Sequence, residues 1–139
     1  MQWIRIGSSL LCFSLLTACS GQSSADKLTK ELDSVKSWTA TAHMVGDAWI
    51  KGTVPEAYAK ETLSKTQEEL QKETLKLADS APGHSQILEQ LKQLKDIVAQ
   101  MSKAVEQKDQ QAMNQQIQQL SSQEQTISTI FKQQAGSHE

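Results

Sequence analysis

A chain of 139 residues is enough for one domain, and its 14 Lys+Arg against 16 Asp+Glu leave no basic excess to neutralise phosphates. Nucleic acid is therefore not an expected partner, all the less so because the only arginine is Arg5. Aromatic residues make up 4% of the chain, good helix formers dominate it, and no long stretch alternates at period two, which points to an all-α domain with an aliphatic core.

The chain begins "MQWIRIGSSLLCFSLLTACS". One positive charge precedes a short apolar run, and small residues precede Cys19, the order of a signal peptide. The run is too short for a membrane span, which needs about 20 apolar residues. The polar stretch "SGQSS" that follows does not suit a buried core helix.

Leu16-Thr17-Ala18-Cys19 resembles the lipobox of bacterial lipoproteins. The resemblance covers residues 1–20 and implies a signal peptide over 1–18, cut just before Cys19. It also implies a diacylglycerol on the Cys19 sulfur and often an acyl group on the new amino terminus. In Gram-negative members an aspartate after the cysteine favours inner-membrane retention. Ser20 at that position implies the periplasmic face of the outer membrane in such a host.

Cys12 then leaves with the signal peptide and Cys19 becomes a thioether, so neither is free for a disulfide or a metal. The mature chain keeps 13 lysines against 16 acids, a net charge of −3. Each buried acyl methylene adds about 0.8 kcal/mol, and two or more chains make anchoring stable. Residues 19–24 form the lipidated cysteine and a tether whose Ser20–Ser24 stretch spans at most about 17 Å.

Four helices are predicted, at about 24–51, 54–79, 85–107 and 109–135. In the first, Leu28, Leu32, Val35, Thr39, Ala42, Gly46 and Trp49 repeat at spacings of four and three, flanked by Trp38 and Val45. Ser23 to Asp26 reads as its start and Gly52 as its stop. Thr53 and Glu56 form a capping-box pattern for the second, with Pro55 in the first turn. Its stripe is Ala59, Leu63, Leu70 and Leu77, with Thr66 and Thr74 between, and "DSAPGHS" breaks it.

Ser85 is the expected cap of the third helix, whose stripe is Ile87, Leu91, Leu94, Val98, Met101 and Val105, widened by Leu88 and Ile97. The fourth carries Met113, Ile117, Leu120, Ile127 and Phe131, interrupted by Glu124. Between them, "EQKDQQAM" has no Gly or Pro. Either Asp109 caps a new helix after a tight turn, or the two helices form one rod with a stutter. The turn is preferred, because it yields four segments of similar length, as an antiparallel up-down-up-down four-helix bundle requires. The alternative is a long helical hairpin that dimerises.

No cysteine nucleophile, Gly-x-Ser-x-Gly or phosphate loop is present, so the chain reads as non-catalytic and without a cofactor beyond the lipid on Cys19. His84 and His138 fall in loop and terminal positions. In an up-down bundle His43, Met101 and Met113 come to one level near the end far from Cys19, a set that would suit copper or haem. The plainer reading makes both methionines core filler.

Trp49 and Tyr58 flank the "GTVP" turn and either close the hairpin on each other or present a partner surface. The glutamine-rich "QQAMNQQIQQLSSQEQ" reads as a solvated, charge-poor helix face. The mature region resembles small helical lipoproteins. The expected role is a membrane-anchored structural or protein-interaction module, with the membrane lipid and an envelope protein as partners. Metal or haem binding and a homo-oligomeric coiled coil are the alternatives.

Overall fold

The computed structural model describes residues 24–80 and 83–136. Residues 1–23, and with them the lipobox, Cys12, Cys19 and the Ser23 start signal, lie outside the described residues, as does His138. Four helices follow one another: α1 Ser24–Ile50, α2 Glu56–Ser80, α3 Ser85–Gln107 and α4 Gln110–Gly136. At 1.5 Å per residue each is about 35–40 Å long. Among the described residues no helix is long and apolar enough to cross a membrane.

Each helix buries one stripe and wets the other face, so none is stable alone and the four pack together. Sequential neighbours pack on one another, α1 closes against α4, and α1 meets α3 only slightly across the diagonal. With short connections this is the antiparallel up-down-up-down bundle, its core completed within one chain.

The core runs the whole length of the bundle. Leu32 and Val35 of α1, Leu63, Leu70 and Leu77 of α2, Ile87, Leu91, Leu94 and Met101 of α3, and Met113 and Leu120 of α4 are all buried. Thr39, Thr66 and Thr74 sit in the stripes without leaving an orphan hydroxyl. Each donates to a carbonyl four residues back: Thr39 to Val35 at 2.8 Å, Thr66 to Thr62 at 2.9 Å and Thr74 to Leu70 at 2.7 Å. Ile130, Ala104 and Glu73 are also buried, although no stripe assigned them.

The connections carry the local chemistry. At the end of α1, Gly52 adopts φ 70°, its N–H donates to Trp49 O at 3.0 Å, and Thr53 N–H donates to Ala48 O at 2.9 Å. That is a Schellman closure, and it needs a left-handed residue that glycine supplies without strain. The Thr53 hydroxyl also donates to Ala48 O, at 3.0 Å. Thr53 therefore finishes α1 rather than capping α2, and α2 begins at Glu56 instead of near 54.

The expected Ser85 cap is also corrected. Ser85 is the first helical residue, the cap position is His84, and no side chain caps it. Leu88 N–H reaches His84 O at 3.1 Å, so the backbone alone starts the helix.

Between α3 and α4 the chain turns within two residues. Lys108 takes φ 55°, its N–H donates to Val105 O at 3.1 Å, and Asp109 N–H donates to Ala104 O at 2.9 Å. Asp109 Oδ1 then accepts the Ala112 N–H at 2.9 Å, capping α4. The turn, not the continuous rod, joins these helices.

Charge is segregated around the bundle. Outward-facing α2 carries a lattice of ion pairs: Lys65 to Glu69 at 2.8 Å, and Lys72 to Glu68 and Glu69 at 3.0 and 2.9 Å. Hydrogen bonds from Lys65 and Lys72 hold the Glu69 carboxyl down to about 2. Lys60 reaches Glu106 of α3 at 3.3 Å. In α4, by contrast, only Glu124 and Lys132 are charged. The α3–α4 groove is bridged by amides: Gln123 Nε2 donates to the Gln90 side chain and to Gln93 Oε1, the latter at 3.0 Å.

Candidate functional site

The strongest concentration of unusual side-chain chemistry lies where α1 begins and α2 ends. Glu31 and Ser34 are one turn apart on α1, and Glu73 and Lys76 are one turn apart on α2. Antiparallel packing brings the two pairs together. Ser34 Oγ donates to Glu73 Oε1 at 3.1 Å, and Lys76 Nζ reaches the same oxygen at 3.0 Å. Glu73 is only 4% exposed, which is rare for a glutamate.

Its second oxygen, Oε2, is buried and receives no hydrogen bond from any hydroxyl, amide or ammonium group. The neighbour that can supply one is Glu31, half-buried, when its carboxyl holds a proton. A hydrogen bond with Glu73, helped by burial and by the Glu73 charge, raises the Glu31 carboxyl above its ordinary value. Burial pushes Glu73 the same way. Hydrogen bonds from Glu31, Lys76 and Ser34 outweigh it and hold Glu73 low. The two carboxyls are thus pushed apart, Glu73 losing its proton more readily than Glu31, as expected of two carboxyls sharing one site.

The pair lines a hollow of about 540 Å³ between α1 and α2, completed by Lys27, Lys30, Asp79 and Ser80. Three lysines and three carboxyls surround it. Lys76 is committed to Glu73, whereas among the described residues Lys27 and Lys30 form no close ion pair. Such a place can hold a group that is cationic at one end and anionic at the other. The sequence gives no hint of it, because Glu73 sits beside the α2 stripe rather than in a motif.

The residues singled out from sequence are distributed differently. Tyr58 is half exposed and lines a recess of about 250 Å³ with Trp38, Glu61, Thr62 and Lys65. Trp49, expected beside Tyr58 at the turn, packs partly buried on the core. The aromatic recess therefore joins Tyr58 to Trp38.

Met101 and Met113 are both fully buried, and both end at Gly46. A Cβ placed on Gly46 would lie 2.8 Å from Met101 Cε and 3.2 Å from Met113 Sδ and Ile117 Cδ1. The two thioethers fill the space left by the missing side chain, the packing role suited to methionine. His43, one turn earlier, is half-buried and bears on Glu124 of α4. Burial raises the Glu124 carboxyl, and the His43 charge partly offsets that. Among the described residues no three His, Cys, Asp or Glu side chains gather as a metal-binding group.

The fold defines the class: an all-α four-helix bundle with a polar hollow between its first two helices. No family model, curated protein or solved structure matches the chain.

Proposed function

We propose that the chain is a bacterial envelope lipoprotein, anchored through acyl chains on Cys19, whose bundle is a non-catalytic structural or protein-interaction module. The observation that carries the reading is the Leu16-Thr17-Ala18-Cys19 pattern behind a charged, then apolar, leader. The bundle starts at Ser24, five residues beyond the anchor. On this reading the starts of α1 and α3 and the ends of α2 and α4 face the bilayer. Ser20 favours the periplasmic face of the outer membrane in a Gram-negative host.

An aromatic side chain held half exposed in a recess, as Tyr58 is beside Trp38, suits contact with an envelope protein. The decisive experiment is Cys19→Ser, followed by fractionation and labelling with a radioactive fatty acid. The expected result is loss of label and release from the membrane. Unchanged membrane association would overturn the anchor. A photo-crosslinker at Tyr58 in the native membrane should give a discrete adduct that Trp38→Ala removes. The same crosslinker at Lys72, within the ion-pair lattice, should give none.

A further inference from the structure

We infer that the α1–α2 hollow is a binding site for a phosphoethanolamine group, its primary ammonium on the Glu31–Glu73 pair and its phosphate on Lys27 and Lys30.

The ammonium end follows from the acid pair. Glu73 Oε1 already has two donors, from Ser34 and Lys76, while buried Oε2 has none of that kind. A buried carboxylate oxygen lacking a donor is costly, and either one proton or one N–H donor satisfies it. Glu31 is such a donor when its carboxyl holds a proton. A primary ammonium supplies up to three N–H donors and a compensating charge, enough to bridge both carboxyls and release that proton. A quaternary ammonium has no N–H and leaves Oε2 as it was.

The anionic end follows from the lysines. Lys27 and Lys30, one turn apart on α1, line the same hollow and are the cations there without a close ion pair among the described residues. Lys30 also acts on the Glu31 charge, but neither ammonium is held in a close ion pair with a described residue, which leaves their N–H donors for a phosphate. The hollow's volume of about 540 Å³ falls in the ordinary range for small-ligand sites.

The inference deepens the anchoring reading, and the choice of a lipid source rests on it. The hollow lies in the half of the bundle where α1 starts, which the tether to Cys19 would hold towards the bilayer. The headgroup of a phosphatidylethanolamine and free phosphoethanolamine share the recognised chemistry, so the experiment separates them.

The full lipidated protein, in a nonionic detergent, is titrated calorimetrically with phosphoethanolamine and with phosphocholine. Phosphoethanolamine is expected to bind at least about tenfold more tightly, one step of about 1.4 kcal/mol in this scale. Glu73→Gln and the exposed double variant Lys27→Ala/Lys30→Ala are each expected to weaken it about tenfold. The double variant tests the proposal even if Glu73→Gln misfolds, because neither lysine is part of the core. Binding should weaken in acid, where Glu31, raised above its ordinary value, and the ligand phosphate both take up protons. The other charged groups at the hollow, Lys76 and Asp79 of α2, belong to the same two helices.

Hydrogen exchange in vesicles then identifies the source. Slower exchange at 27–34 and 73–80 in phosphatidylethanolamine than in phosphatidylcholine supports the lipid headgroup. Protection by free phosphoethanolamine alone supports the site with a soluble ligand. No binding, or equal binding of phosphocholine, would overturn the proposal. Neither outcome depends on Cys19→Ser, whose failure would remove the anchor and leave the calorimetric result intact.

Discussion

Ser34 of α1 donates its hydroxyl to the buried carboxylate of Glu73 on α2, across 3.1 Å. This bond and the Lys76 ammonium are the fixed donors that make a glutamate tolerable at a buried position. Ser34→Ala should cost about 1.5–3 kcal/mol near neutral pH, the range for a hydrogen bond to a charged group. Because Glu73 is held below its ordinary value, its stabilisation is full above the unfolded-state pKa and is lost as pH falls through the folded one. Urea denaturation should therefore show the Ser34→Ala deficit shrinking in acid. A deficit that is constant with pH would mean that the hydroxyl acts through packing alone.

Glu124 has the opposite sign. It occupies a stripe position of α4, and burial raises its carboxyl. The folded state therefore holds the proton more tightly than the unfolded one, and stability falls as pH rises between the two pKa values. Glu124→Gln should raise the melting temperature at about pH 7 and have little effect at about pH 3.5, where the carboxyl is already protonated. Thermal melts at the two pH values check this directly.

Gly46 is the floor on which Met101 and Met113 meet. A methyl group there would approach Met101 Cε to 2.8 Å, but all three atoms it meets are side-chain ends that can move. Gly46→Ala sets that adjustment against a helix-propensity gain of about 1 kcal/mol, and the two should nearly cancel. Gly46→Leu exceeds what the methionines can yield and should lose about 3 kcal/mol or more. Chemical denaturation of the two variants side by side measures the difference.

Lys108 closes α3 in the left-handed region, at φ 55°, which costs a residue with a side chain about 1–2 kcal/mol. Lys108→Gly removes that strain and adds some unfolded-state freedom, so a net gain of about 0.5–1 kcal/mol is expected. The Lys108–Glu56 contact at 4.0 Å is between exposed groups, and its loss should be small. A raised denaturation midpoint with an unchanged slope would show that the gain is in stability alone.

Much of this architecture was legible in the chain. The stripes from Leu28 to Ala42, from Ala59 to Leu77 and from Ile87 to Val105 are the faces that the bundle buries. Asp109 was readable as a cap because a short acid before a polar run has few better uses. Thr53 and Ser85 were misread for a related reason. Each carries the right hydroxyl for a cap, but Thr53 is drawn back to Ala48 by the α1 closure, and Ser85 has already entered the helix.

Helical periodicity is a local property, set by 3.6 residues per turn, and so the number of helices, their lengths and their inward stripes were present in the residue order itself. The address implied by Leu16 to Cys19 is equally local, a matter of contiguous residues. Which outward faces meet is not local, because it depends on how each helix is rotated and which neighbour it takes. That choice set Tyr58 and Trp38 in one recess and both methionines on Gly46. It also drew Glu73 under Ser34 and Glu31, pairing a buried acid with a half-buried one about 40 positions away.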